Sequence, residues 1–342
     1  MVCTTLCLSI LSDPYTKRSV GAILWPLITE SGADGSARAW GARGRRFEPC
    51  LSDKYRDFLE FVNTTHIFKS SVKISDMKLL SLNVALFEEN NDKLAPFIQA
   101  QDADILTLQE VTKRVDSSAK SELISKEGID SSSPDLTYSF FAPVWVLSKF
   151  EKNYFHGKDV FSFDLGGNVE FGNYTKSKFH ITKGQNIFVQ NYFSYVTDWS
   201  KWPEDDYRGF QVTDLLIDGK DLRVINYHGI WSKDKKGTDK TKRACETIRD
   251  FGLEAKGALV ICGDFNLFPD TESIEVLNEQ FKNLCNEYSI LSTRPETNEL
   301  SDLSRNVVDY LFVNDKVKVN HFEVLQSEVS DHLPLVMDFD LY

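Results

Sequence analysis

The sequence predicts an α/β fold built on mixed β-sheets, and three observations predict it. Short apolar runs of strand length outnumber the helical segments. Neighbouring runs are joined by hairpin-type turns, as at Gly219-Lys220. Six of the strand segments carry a carboxylate, amide or imidazole at or near one end.

Taken in order, "KLLSLNVALF" is an apolar run of strand length. "NDKLAPFIQAQD" reads as a helix that Asn91 or Asp92 can cap and that stops at the acidic turn of Asp102 and Asp104. "DILTLQEV" is a second buried strand, and "SAKSELISKEG" a polar helix expected to end at Gly128. "TYSFFAPVWVL" is aromatic and β-prone. From Lys149 to Asn173 the chain is a polar-aromatic stretch with no assigned element, followed by "KSKFHITKGQNIFVQNYFS". "GFQVTDLLID" and "KDLRVINYHGIW" form a hairpin. "DKTKRACETIRDFG" is a helix with Ala244, Ile248 and Phe251 on one stripe. "GALVICGDFN" is a buried strand, and "DTESIEVLNEQF" a helix capped by Asp270 or Thr271. "NVVDYLFVN", "VKVNHFEVL" and "LPLVMDF" are the last strands.

The composition is that of a globular protein: 342 residues, 42% hydrophobic, net charge −12. No apolar run reaches the length of about 18 residues that a membrane span needs. Charge divides the chain. Residues 1–76 hold 10 basic and 8 acidic residues, net +2, which leaves −14 for the remainder. Residues 1–76 therefore read as a poorly ordered N-terminal extension, with a candidate helix over 54–68, and 77–342 as the functional domain. "VCTTLCLSIL" has no basic residue before it, which argues against a secretory signal. The six cysteines show no CxxC or zinc spacing, and Cys262 reads as a buried free thiol, so a cytoplasmic protein is expected. A monomer is expected.

The chemistry gathers where strands end. Asn83 lies in the first strand, and Glu110 closes "DILTLQE". Asn226 and His228 close "LRVINYH", and Asp264 and Asn266 close "GALVICGDFN". Asp309 sits in "NVVDYLFV", and Asp331 and His332 open the final strand. Polar groups at strand ends can converge on one rim of a sheet. Oxygen ligands without cysteine suit a hard cation, Mg²⁺ or Mn²⁺. Histidines backed by acids suit proton transfer or charge stabilisation at a phosphoryl group. Metal-assisted hydrolysis of a phosphate ester fits this set best. Each motif alone has a bland reading as a strand leaving the core through a polar turn.

In this order, "LLSLNV", "DILTLQEV", "INYHGIW", "CGDFN", "VVDYLFV" and "SDHLPL" resemble the motif series of the endonuclease/exonuclease/phosphatase superfamily over residues 77–340. The resemblance implies a four-layer α/β sandwich of the deoxyribonuclease I type: two packed mixed β-sheets flanked by helices. It also implies roles. Glu110 matches the metal-binding glutamate, with Asn83 and Asp331 beside the metal. Asp264 and Asn266 match the pair that prepares the attacking water and contacts the phosphate. His332 matches the catalytic histidine, and Asp309 the acid that orients it. Asn226 and His228 match the N-x-H of the deoxyribonuclease I and sphingomyelinase branches. In "GNYTKSKF", Lys178 stands where the superfamily usually has arginine.

The expected substrate is a phosphate ester, with DNA or RNA among the candidates. The phosphodiesterase or endonuclease reading leads. A phosphatase or lipid phosphodiesterase acting on a small ester, and a non-catalytic binding protein on the same fold, are the alternatives. A nucleic-acid binder needs basic residues on its face, and here they cluster only in "KSK" and in "WSKDKKGTDKTKR". Lys233, Lys235, Lys236, Lys240, Lys242 and Arg243 of the latter could line the rim after His228 or form a solvated face. Trp199 and Trp202 are candidates for a loop over the cleft.

Overall fold

The structure is a computed structural model and describes residues 77–85, 91–120, 124–152, 161–196, 206–295 and 306–342. The expected N-terminal extension and the Trp199–Trp202 loop lie outside these residues.

Two mixed sheets form the centre. In the first, β1 (Met77–Asn83) runs parallel to β2 (Ile105–Arg114) and antiparallel to β13 (Leu335–Leu341), which pairs with β12 (Val317–Val324) at one edge. Beyond β2 come β4 (Phe161–Ser177), β3 (Tyr138–Lys152) and the short β6 (Ser194–Tyr195). The second sheet has the order β10 (Lys282–Asn283), β11 (Asp309–Val313), β9 (Ala258–Asp264), β8 (Lys220–His228), β7 (Arg208–Ile217) and β5 (His180–Gln190). Within it only β8 and β9 run parallel.

Period-two alternation gives each strand two jobs. In β1 and β2, Leu80, Leu82, Leu106 and Leu108 face outward onto Leu94 and Ile98 of α1 (Asn91–Gln101) and Ile129 of α2 (Ser125–Ser132). Leu79 and Ile105 turn the other way and share a core with Val224 of β8 and Val260 of β9. Ala244, Cys245 and Ile248 of α3 (Asp239–Leu253), with Ile274 and Leu277 of α4 (Glu272–Asn278), complete that core; a single turn, α5 (Leu284–Glu287), follows. The result is the four-layer sandwich: helices, sheet, sheet, helices. Thr238 starts α3 with a reciprocal capping box to Thr241, and Thr271 caps α4.

Three local expectations are corrected. The stretch from Lys149 to Asn173 is largely strand: β3 continues to Lys152 and β4 begins at Phe161. Leu165, Val169 and Phe171 share one buried face of β4, an alternation interrupted by Gly166-Gly167. Gly128 does not end its helix but lies inside α2, where nothing crowds it and Ile129 is buried beside it. The hairpin turn is centred on Asp218-Gly219 (φ 50° and 83°), one residue earlier than expected, because a two-residue turn of this hand needs positive φ at both positions.

The sheet-on-sheet interface is apolar at one end and polar at the other. Toward the C-terminal ends of β1, β2 and β8, the inward positions are Gln109, Asn173, Thr175, Gln211 and Asn226, all buried. They bond one another and nearby carbonyls: Gln109 Nε2 donates to Asn226 Oδ1 at 2.7 Å, and Asn226 Nδ2 donates to the carbonyls of Leu108 (3.0 Å) and Tyr174 (3.4 Å), while Gln109 Oε1 is left without a partner among the described residues. Asn226 thereby links β8 to the opposite sheet.

Candidate active site

Strand register brings the acids and imidazoles together. His228 and Asp309 are both cross-strand partners of Asp264, so three site residues form one row across β8, β9 and β11. Asn83 ends β1 in the facing sheet and reaches across to this row. Glu110 sits in β2 at a register irregularity between Leu108 and Val111, with φ 60°. A bulge of this kind re-aims a side chain, and here it turns Glu110 into the mouth instead of leaving it in strict alternation. The "GDFN" turn is equally constrained. Gly263 has φ 131°, and a Cβ there would stand 2.1 Å from the Tyr227 carbonyl. Asn266 follows with φ 56°.

One atom is the focus. Within 4 Å of Asp264 Oδ2 lie Asn83 Nδ2 (3.1 Å), Asn266 Nδ2 (3.2 Å), His332 Nε2 (3.5 Å) and His228 Nε2 (3.8 Å). Asp264 Oδ1 accepts from the Asn266 backbone N–H at 2.8 Å. Asn83 Nδ2 also donates to Glu110 Oε1 at 3.1 Å, and His228 Nε2 lies 3.5 Å from the same oxygen. On the far side of the His332 ring, Nδ1 meets Asp309 at 2.8 and 3.0 Å. Thr293 Oγ1 donates to Asp309 Oδ2 at 2.7 Å and accepts from the Asp309 backbone N–H. Ser330 Oγ donates to the Asn83 carbonyl, which ties the segment before His332 to the end of β1.

Electrostatics follow from burial and neighbours. Burial raises the Asp264 carboxyl, but His332, His228, Arg294 and Lys235 outweigh it and hold the group far below the usual carboxylate range. Burial pushes His228 well below its ordinary value, with Arg208 adding to the effect, so its ring is neutral. For His332, burial and Arg294 push downward, yet Asp309, Asp264 and Asp331 prevail, and the net shift is upward. Burial lowers the Lys235 ammonium to about 8, with Asp264 opposing.

Eight of the nine residues expected from sequence meet at this rim. Asp331 is among them, but its Oδ2 is engaged by Arg294 Nη1 at 2.6 Å, and its Oδ1 is 3.9 Å from His332 Nε2. Asn226 is the ninth. It lies one pleat deeper than His228, its amide spent on the interface layer described above. The "GNYTKSKF" lysines are elsewhere: Lys176 contacts Asp130 and Lys178 contacts Asp104, which precedes β2 at the opposite rim. In the basic run after His228, Lys235 alone is buried, while Lys233, Lys236, Lys240 and Arg243 are exposed and Lys242 pairs with Glu272. Arg208, Thr293 and Arg294 were not foreseen. Thr293 and Arg294 lie in a segment without strand or helix period, so no local pattern marks them.

The donor set fits a hard divalent cation. Glu110 and Asp264 both bond one Asn83 amide nitrogen, so two carboxylates converge where a cation would relieve their repulsion. Asp264, Asp309 and His332 also offer ligand atoms within 4.8 Å of one another. Asp309, however, is already committed to His332 and Thr293. Glu110 is the better anchor, since its side chain is 23% exposed against 2% for Asp264 and can exchange water for an ion.

A sequence profile described as "Endonuclease/Exonuclease/phosphatase family" matches residues 80–332. No curated relative matches the sequence. Among solved structures, an endonuclease/exonuclease/phosphatase from Beutenbergia cavernae superposes with TM-score 0.58 at 15% identity, covering 78% of this chain and 72% of that one. The human Nocturnin catalytic domain gives 0.52 at 18% identity, with 78% and 94% covered. A mannosyl-6-phosphatase of Bacteroides thetaiotaomicron gives 0.52 at 14% identity, with 78% and 100% covered. At these identities the likeness is one of fold.

Proposed function

The chain belongs to the endonuclease/exonuclease/phosphatase family, and from that membership and the geometry of the rim we propose that it hydrolyses phosphate esters with a divalent cation, Mg²⁺ or Mn²⁺. The observation that carries the reading is the convergence of four nitrogen atoms from four separate segments on Asp264 Oδ2. A structural carboxylate needs one or two partners. This one is held ionised and fenced on several sides, as a group that must receive or orient a proton is.

Each residue then has a task. Asp264 stays a carboxylate and orients the attacking water, with Asn266 holding its rotamer. His332, whose charged form is favoured by its acids, presents Nε2–H to a phosphoryl oxygen, and Asp309 with Thr293 fixes the ring. His228, neutral, stands beside Glu110 and can donate from Nε2. Glu110, with Asp331 through its second oxygen, would hold the cation; Asn83, expected among the ligands, instead turns its amide nitrogen to Glu110 and Asp264 and gives its oxygen to the Ala85 N–H, so it orients the carboxylates. Bound there, the cation would neutralise charge on a phosphoryl oxygen. Asn226 sets the strand that carries His228.

A phosphodiesterase of nuclease type is the leading substrate reading. A small-ester phosphatase is the second, favoured by the net charge of −14 over residues 77–342, which repels a polyanion. Similarity to a mannosyl-6-phosphatase accords with it. Salt separates them: cleavage of a polymer falls steeply as ionic strength rises, and hydrolysis of a small ester does not. The intact acid–base set speaks against a non-catalytic binder. The buried thiols of Cys245 and Cys262 accord with a reducing compartment such as the cytoplasm, and a monomer suffices for the chemistry. No helix among the described residues is long and apolar enough to cross a membrane.

The test is hydrolysis of plasmid, single-stranded DNA, RNA, bis-p-nitrophenyl phosphate, p-nitrophenyl phosphate, an inositol phosphate and sphingomyelin, with and without chelator. Chelation and Glu110→Ala should each abolish turnover, and His332→Ala should lower it about 10²–10³-fold. Turnover that survived chelation and both substitutions would sink the reading.

A further inference from the structure

Three cationic side chains, all more than nine-tenths buried, surround the site, and two of them are neutralised. Arg208 Nη2 pairs with Asp206 at 2.8 Å, and Arg294 Nη1 pairs with Asp331 at 2.6 Å. Lys235, 4% exposed, has no carboxylate oxygen within 4 Å among the described residues. Its ammonium instead bonds the carbonyl oxygen of Asn266 and lies 4.9 Å from the centre of the Trp231 ring. Both partners are neutral.

An ammonium buried with no carboxylate in contact is costly to keep, and the nearest acid, Asp264, reaches this one only across Asn266. The chain nevertheless holds it firmly. The Lys235 backbone N–H donates to the Ser232 carbonyl, and its own carbonyl accepts from Phe268, which locks the loop after β8 onto the turn after β9. Asn266 relays the charge. Its Oδ1 accepts from Lys235 while its Nδ2 donates to Asp264 Oδ2 at 3.2 Å and to the Gly229 carbonyl at 3.3 Å. The lysine thus stands one side chain away from the atom on which the histidines converge, and it selects the orientation of the Asn266 amide.

We propose that the missing ion-pair partner is the substrate's own: Lys235 receives a non-bridging oxygen of the phosphoryl group, and through Asn266 it positions the Asp264 carboxylate. An ammonium has three donors and no directional fork, so it can keep Asn266 and still take a phosphate oxygen. A phosphomonoester dianion carries more charge than a diester monoanion and gains more from such a cation. Lys235 therefore biases the site toward terminal phosphate. The inference takes its chemistry from the hydrolase reading above but is tested by anion binding without turnover.

The experiment titrates the full-length protein with inorganic phosphate, followed by ³¹P NMR line width, for wild type, Lys235→Met and Lys256→Met, an exposed lysine two residues before β9. Lys235→Met should weaken phosphate binding about 10- to 100-fold, with a melting temperature close to wild type, and Lys256→Met should leave binding unchanged. On p-nitrophenyl phosphate, kcat/KM should fall about 10²–10³-fold, with a smaller loss on bis-p-nitrophenyl phosphate and partial recovery in Lys235→Arg. Should Lys235→Met not fold, Lys235→Gln carries the same expectation, since it keeps a donor for Asn266 and loses the charge. Phosphate affinity equal to wild type in a folded, uncharged variant overturns the proposal. So does a wild type that binds no phosphate. A wild type that binds phosphate through Lys235 yet hydrolyses no ester overturns the hydrolase reading and leaves this assignment standing. Hydrolysis with both phosphate affinity and rate indifferent to Lys235 does the reverse.

Discussion

Glu110 and Asn266 hold backbone angles that side chains other than glycine rarely adopt, with φ of 60° and 56°. Such positions persist only where the surroundings over-determine them, and they gather at functional sites. Here the surroundings are visible: a bulge in β2 beneath Glu110, and the Lys235, Gly229 and Asp264 contacts around Asn266. His332 is orientated just as tightly, by Asp309 on one ring nitrogen and Asp264 beyond the other. Asp309→Asn keeps the size and the Thr293 contact but removes the charge that holds the imidazole. Turnover should fall about 10²–10⁴-fold while the urea midpoint stays near wild type. Steady-state kinetics beside an unfolding curve checks this, and an unchanged rate would show that His332 needs no orienting acid.

At the scale of elements, α2 is anchored by a carboxylate far from the rim. Asp130 accepts from Tyr174 Oη at 2.6 Å and pairs with Lys126 at 2.5 Å and Lys176 at 3.2 Å. Burial alone would raise its pKa, but the hydrogen bonds and charges of Lys126, Tyr174 and Lys176 lower it below the ordinary 3.8. A carboxyl lowered on folding stabilises the fold above its unfolded pKa, and that contribution is lost as pH falls through the folded value. The docking of α2 on β4 should therefore weaken as pH falls below about 4. Asp130→Asn should flatten that part of the stability profile, measured as urea midpoints from pH 5 to 3. Parallel acid slopes in variant and wild type would refute the assignment. Because Asp130 is partly exposed, the effect is modest and screened by salt.

At the scale of the whole molecule, the site exists because two sheets are clamped together beneath it. Asn226 is the centre of that clamp, with partners on Gln109, Leu108 and Tyr174 of the facing sheet. Asn226→Ala leaves buried groups unpaired and should cost about 1–3 kcal/mol for each, read as a lower urea midpoint. Below the transition its rate should fall less than that of Asp309→Asn. A stability equal to wild type would mean that the polar layer is not a clamp. Much of this was legible in advance. Apolar runs of strand length announced strands such as β1, β8 and β9, and Thr271 was one of two residues expected to cap its helix, because these signals act between residues close in sequence. Residue type likewise announced acids, amides and imidazoles at strand ends, and with them a phosphoryl chemistry. Which ends share a rim, that Asn226 turns into the interface while His228 faces the mouth, and that Arg294 meets Asp331 while Lys235 bonds the Asn266 amide, were decided only when the sheets packed. Asn83 and Asp264 are 181 residues apart, and register, burial and counter-charge at such separations are properties of the closed sandwich, for which no local pattern exists.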